Sequence, residues 1–443
     1  MFSIRSFVTS IVVIALLSTC LLAQRRSQHL AQAATVADTG PQVGHSPGMR
    51  VDGAQPRTET APLVTYPAQA APSQPSVGLV INATYDSTIT SQPNAAQIEA
   101  AIQNAIGIYQ STFSDQITVN IYFRYASTDP CTGSPLPANN GARSDWVYYT
   151  IAWDTFRTAL LADAKSAHDT SADATVPAGQ PQSVLPTSAN GRALSMNTSG
   201  VMGSDCSLGA GGTYDGIVTL NSALAVSFTR PTPGGSFDAQ RSVEHEIDEV
   251  LGIGSYLDIT PATSNWRPED LFTYSAPSVR NVTGTGTRYF SYNGGNTNVI
   301  TLNQDPANDR GDWLSGGCPQ GTPFVQNAVV CPGQSSDISS SSPEGIVLDV
   351  IGYDLVATAA NVSVSGRVLT SSGSGIRNAR VTMTDQSGDM FSAVTNAFGY
   401  YSLSDVPSGR DYMMSASARG FSFQPRAVSL TDSQSDEDFV ASP

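Results

Sequence analysis

Past residue 77 the chain alternates between two hydrophobic periods. GLVINATY (78–85) is an apolar run of strand length. AAQIEAAIQNAIGIYQSTF (95–113) repeats apolar residues at helical spacing, and ITVNIYFRY (117–125) alternates at every second residue. Strand, helix, strand predicts an α/β layer with the helix crossing one face of a sheet. DTFRTALLADAKSAH (154–168) predicts a second helix. DGIVTLNSA (215–223) predicts a strand, with Ile217, Thr219 and Asn221 on one side and Val218 and Leu220 on the other. The loop TRPTPGGSFDAQ then leads into RSVEHEIDEVLGIGS (241–255), where Val243, Ile247, Val250 and Leu251 make an apolar helix stripe and Gly252 and Gly254 end it.

The pattern is different at both ends. After Leu355 short alternating strands recur with regular turns, which predicts an all-β sandwich over 362–443. Val364, Val368, Val381, Tyr401, Leu403, Val406 and Phe421 are expected in its core, with Gly399 and Gly409 at its turns. From Ala34 to Gln74 the chain is rich in Ala, Pro, Thr, Gln and Ser without any apolar period. It reads as a flexible linker or pro-segment, with order expected from Val77. The resulting organisation is a terminal segment 1–23, a linker 24–75, a mixed domain 76–357 and a β-domain 362–443.

The terminal segment has Arg5 ahead of an apolar run from Phe7 to Ala23, the pattern of a secretory signal peptide with cleavage near Ala23. An uncleaved membrane anchor is the other reading of that run, and a lipid anchor on Cys20 is disfavoured by Thr19 before it. Export gives the cysteines a meaning. Cys131, Cys206, Cys318 and Cys331 form an even set in an oxidising compartment, which points to disulfides; four cysteines allow three pairings. Cys318 and Cys331 bracket a Gly/Pro-rich loop and are the easiest local pair, leaving Cys131 with Cys206. Zinc ligation by these thiols lacks any C-x-x-C pair to support it. A net charge of −15 argues against nucleic acid and anionic membrane surfaces as partners.

The helix 241–255 carries the candidate chemistry. Residues i and i+4 stand one above the other, so His245 and Glu249 can ligate one metal ion. Glu246 beside them can act as a general base on water. Asp248 is a substitute for Glu249 as ligand. The competing reading is a solvated acidic helix face, since H-E-x-x-E arises easily by chance.

HEIDEVLGIGSYLD resembles the H-E-I-x-H-x-L-G-x-x-S-x-x-D stretch of a family of exported bacterial metalloproteases related to the zincins and metzincins. DGIVTLNS, DLFTYSAPSVR (270–280), RYFSYNGGNTNVITLNQ (288–304) and PEGIVLDVIGYDL (343–355) extend the resemblance over roughly residues 76–357. It implies an α+β zincin-like domain, with a mixed sheet, a metal helix and a substrate lying along an edge strand. The chain departs from that pattern in having Glu249 at the second histidine and Ser255 at the third, and no histidine follows His245. Asp258, at the family's aspartate position, is then the expected third ligand. A His/Glu/Asp set binds Zn²⁺, and its oxygen content shifts preference toward Mn²⁺ or Ca²⁺. The last eighty residues resemble the carboxypeptidase regulatory-like, transthyretin-like domain, through SGRVLTSSGSGIRNARVTMTD and NAFGYYSLSDVPSGRDYMMSASARGFSF.

Other clusters carry less. Asp305, Asp309 and Asp312 lie in NQDPANDRGDW, which fits no EF-hand spacing and reads as a polar loop, with Ca²⁺ binding as the alternative. His168 is expected to be exposed. Two function classes follow. The first is a secreted metallopeptidase acting on protein or peptide, with Glu246 as base and the β-domain contacting a cell surface or polysaccharide. The second is an extracellular binding or structural protein of the same fold without catalysis.

Overall fold

The computed structural model describes residues 40–53, 78–180, 183–209, 211–257, 265–283, 286–356, 361–385, 390–407, 410–430, 433–435 and 437–442. The signal-like segment, most of the stretch 24–75, Asp258 and Gly409 lie outside them. The chain divides into two compact units after Val356.

The first unit is mixed α/β. In chain order it contains β1 (Gln42–His45), β2 (Met49–Val51), β3 (Val80–Tyr85), α1 (Ala95–Thr112), β4 (Thr118–Ala126) and β5 (Asn140–Tyr148). There follow α2 (Trp153–Asp163), β6 (Gly216–Asn221), α3 (Ala239–Leu251), β7 (Val329–Val330) and α4 (Pro343–Val350). One seven-stranded sheet runs β7-β2-β5-β6-β4-β3, and β1 also pairs with β5. β3, β4 and β6 are mutually parallel, and β5 runs antiparallel to β6. The α1 crossover between parallel β3 and β4 is the predicted strand–helix–strand layer. Ile98, Ile102 and Ile106 of α1 are each 1% exposed or less. Such burial is worth about 1.5–3 kcal/mol per side chain before ordering costs.

One expectation fails here. Residues 42–45 and 49–51, read from sequence as part of a flexible linker or pro-segment, are strands of the main sheet. Gln42 to His45 pair antiparallel with Tyr148 to Asp145, Met49 pairs with Ala142, and β7 pairs parallel with β2. Met49 and Val51 join the core at 0% and 4% exposure. The strands escape periodicity analysis because each is short and Ser46-Pro47-Gly48 separates them. Their order comes from the hydrogen-bonding edge of β5, a partner remote in sequence.

Helix α3 lies close over the sheet. A Cβ on Gly216 would stand 2.6 Å from Val250 Cγ2, so glycine at that point of β6 permits the approach. Asp238 caps the helix by accepting from the amides of Gln240 and Arg241. Gly252, at φ +135°, closes the other end with its amide donating to the Asp248 carbonyl.

The second unit is all-β. Its strands are β8 (Asn361–Leu369), β9 (Arg380–Asp385), β10 (Met390–Val394), β11 (Tyr400–Pro407), β12 (Arg410–Ser417), β13 (Arg426–Leu430) and β14 (Phe439–Val440). Two sheets, β11-β8-β14 and β10-β9-β12-β13, share one apolar core, consistent with a β-sandwich. Val364, Val368, Val381, Tyr401, Leu403 and Val406 fill that core as expected. Phe421 does not: it is 41% exposed, in the bend after Gly420, and packs near Phe423 instead.

Candidate metal centre

Every side chain of the motif is buried. His245 and Glu246 are 0% exposed and Glu249 1%. The reading of α3 as a solvated acidic face is therefore overturned. Ionisable side chains are rarely so buried unless they are paired or hold a cation.

Three donor atoms converge. His245 Nε2 lies 3.9 Å from Glu249 Oε1 and 3.7 Å from Asp312 Oδ1. All three ligating atoms fall within 4.8 Å of one another. Bonds of about 2.0–2.1 Å in a tetrahedral site would separate neighbouring ligands by roughly 3.4 Å, so small adjustments bring the trio onto one ion. Asp312 comes from NQDPANDRGDW, which the sequence reads as a polar loop with Ca²⁺ binding as the alternative. The expected third ligand, Asp258, lies outside the described residues. Asp248, the substitute for Glu249, turns away and accepts from the Tyr109 hydroxyl at 2.7 Å.

The surroundings suit ligation. His245 Nδ1 donates to the Val325 carbonyl at 3.0 Å, because a carbonyl can only accept, and this leaves Nε2 with its lone pair facing the carboxylates and Gln326. Burial pushes the His245 pKa down, which favours the neutral ligand form. Ser46 Oγ donates to Glu249 Oε1 at 3.0 Å, and Ser144 Oγ bonds Glu249 Oε2. Met49 N donates to Glu246 Oε1 at 3.4 Å. Among the described residues no donor reaches Glu246 Oε2 or Asp312 Oδ2. Burial, and then the neighbouring Glu249, hold the Glu246 pKa well above the usual carboxylate range. Burial and then Asp309 do the same for Asp312. A buried acidic group with unfilled oxygens and a neutral imidazole is a donor set that fits a divalent cation.

Gln326 is a further member of the centre that no sequence motif marks. Its Nε2 lies 3.3 Å from His245 Nε2 and donates to Asp312 Oδ1 at 2.8 Å, while its buried Oε1 has no partner. Rotated about its terminal bond, the amide offers that oxygen as a fourth ligand; as it stands, it bridges the trio by hydrogen bonds. Glu344 of α4 accepts from Trp313 Nε1 at 2.9 Å and Gln326 N at 3.0 Å, so it fixes the residues beside Asp312 and at Gln326. No spaced motif marks Gln326; Glu344 lies in the resembling stretch PEGIVLDVIGYDL, without a role assigned to it there.

Both expected disulfides are present, Cys131–Cys206 and Cys318–Cys331. The second closes the loop that carries Phe324, Val325 and Gln326, whose first carbonyl accepts from the buried Arg241 guanidinium. His168 is only partly exposed, contrary to expectation, with Nδ1 3.1 Å from Asp349 Oδ2.

Residues 363–441 match the carboxypeptidase regulatory-like domain family, and that match is confined to the C-terminal unit. No curated protein matches the chain. Among solved structures, the Bacillus anthracis TIE protein is 10% identical, with 20% of this chain and 18% of that one covered at a TM-score of 0.16. The shaft pilin SpaA of Lactobacillus rhamnosus GG is 8% identical, with 28% and 56% covered at a TM-score of 0.17. The chain thus spans less than two thirds of either protein.

Proposed function

We propose that the first unit is a zincin-like, metal-dependent peptidase whose cation is held by His245, Glu249 and Asp312, with Glu246 as general base. The observation that supports this reading is the buried convergence of one imidazole and two carboxylates, with a third carboxylate beside them that has an unfilled oxygen. When bound, the cation supplies Lewis-acid polarisation of a peptide carbonyl. Zn²⁺ suits the imidazole, and the two carboxylates favour Mn²⁺ or Ca²⁺ as alternatives.

The remaining work falls to the chain's own groups. Glu246 takes a proton from the attacking water and returns it to the leaving amine. Its raised pKa lies in the direction a base needs for operation near neutral pH. Ser144 orients Glu249, and the Val325 carbonyl fixes the His245 tautomer. In this reading the chain is exported by its signal-like terminus, and the carboxypeptidase regulatory-like domain contacts a cell surface or polysaccharide. Glu246→Gln and His245→Ala separate the roles of base and ligand, as argued below.

A second reading has its own observation. Gln326 bridges His245 and Asp312, satisfying part of the trio without an ion, as a non-catalytic binding protein of the same fold would require. Metal content distinguishes the two.

A further inference from the structure

We infer that Gln42–Val51 is a self-bound peptide seated in the groove where an extended substrate would pair with β5, and that the shape of this groove selects glycine at two positions. The inference rests on the peptidase reading of the site.

Without β1 and β2, one side of β5 would be an unpaired edge, the usual docking place for an extended chain. The segment fills that edge as a ligand would. It runs antiparallel to β5 from Gln42↔Tyr148 to His45↔Asp145, continues through Ser46 N donating to Ser144 O at 3.0 Å, and resumes at Met49↔Ala142. In between, Pro47 has no amide to donate and Gly48 sits at φ +87°, so the chain bulges out of the ladder. The bulge stands over the proposed centre, with Ser46 Oγ on Glu249 and the Met49 amide on Glu246. The segment's own atoms thus contact both a proposed ligand and the proposed base.

The fit is specific at two glycines. A Cβ on Gly44 would stand 2.3 Å from Trp146 Nε1 and 2.6 Å from Tyr256 Oη, and one on Gly48 would stand 1.6 Å from Asn140 Nδ2. Trp146, Tyr256 and Asn140 therefore form walls that exclude side chains there. His45 Nδ1 bonds Asp145 Oδ1 at 2.5 Å, and Met49 and Val51 point into the core. The substrate class this describes is an extended peptide with one glycine before a short bulge and one at its end, followed by an apolar residue.

The test uses the full chain. Gly44→Val pushes the segment off Trp146. Hydrogen exchange of the β5 amides should then rise at least ten-fold while α3 amides keep their protection. A labelled peptide GPQVGHSPGMRVDG, the sequence of residues 40–53, should bind this variant at least ten-fold more tightly than wild type, and the same peptide with Gly48→Val should not bind. Ser46→Ala, a milder change, should raise β5 exchange without altering α3. If both variants lose β5 and α3 protection together, the segment is part of the core and the inference is overturned. Failure of the peptide to discriminate the variant from wild type also overturns it. Metal content measured on the same samples keeps the two claims apart: peptide rebinding without stoichiometric metal removes the peptidase reading alone, and metal without rebinding removes this inference alone.

Discussion

Asp312 Oδ1 stands 3.7 Å from His245 Nε2, although the two residues come from a loop and a helix far apart in the chain. That approach turns an i, i+4 helical pair into a three-donor site. Asp312→Asn should weaken divalent metal binding by more than the roughly 10–100-fold expected for loss of an outer-sphere partner. Asp258→Asn should leave it unchanged. Equilibrium dialysis of the two variants decides between them, and the reverse result would restore Asp258 as ligand.

The base and the ligand should separate cleanly. Glu246→Gln keeps the shape of the side chain and should preserve metal while lowering any peptide hydrolysis by about 10²–10⁴-fold. His245→Ala should lose both. A Glu246→Gln protein with wild-type hydrolysis would remove Glu246 from the mechanism.

Outer partners should matter less. Ser144→Ala removes a donor to Glu249 and should weaken metal binding by about 10–100-fold without unfolding the chain. Metal titration of the folded variant measures this, and an unchanged affinity would leave Ser144 a purely structural hydroxyl.

Much of the site was legible, for a physical reason. α3 announces itself because the apolar stripe Val243, Ile247, Val250 and Leu251 and the polar set His245, Glu246 and Glu249 both repeat at helical spacing. The disulfides are legible because four cysteines allow only three pairings, and Cys318 and Cys331 bracket one short loop. Gln326 carries no signal, and Asp312 stands out only as one of three aspartates in a loop, because each reaches His245 through tertiary folding rather than through spacing. β1 and β2 were missed because their register is set by β5 and not by their own pattern. Ser46 of that same segment donates to Glu249, so the segment's contact with the centre is hidden with the strand.

The Cys318–Cys331 bridge closes a loop of sequence separation 13, which removes about 3 kcal/mol of unfolded-chain entropy. Cys318→Ser/Cys331→Ser should therefore lower the thermal midpoint. It should also weaken metal binding, since that loop positions Val325 and Gln326 against His245. Peptide mapping without reductant should recover both linked pairs, and four free thiols would refute them.

Stability should fall with rising pH through Asp115. Burial first, with a contribution from Asp354, raises its pKa to about 7 from the usual 3.8. The folded state thus holds a proton that the unfolded chain releases. This stabilisation is complete below about 4 and is lost as pH rises toward 7, by a few kcal/mol at most. Asp115→Asn keeps an acceptor for the Asp354 amide and should flatten that slope. Denaturant unfolding at pH 5 and pH 8 measures it; an unchanged slope would mean that Asp115 is ionised throughout.

Metal stoichiometry tests the central claim most directly. Full-length protein dialysed against Zn²⁺ or Mn²⁺ and then freed of loose ions should retain one equivalent per chain by elemental analysis, and His245→Ala should retain none. Wild-type protein that holds no stoichiometric metal under these conditions would contradict the account, leaving His245, Glu249 and Asp312 as a hydrogen-bonded buried cluster bridged by Gln326.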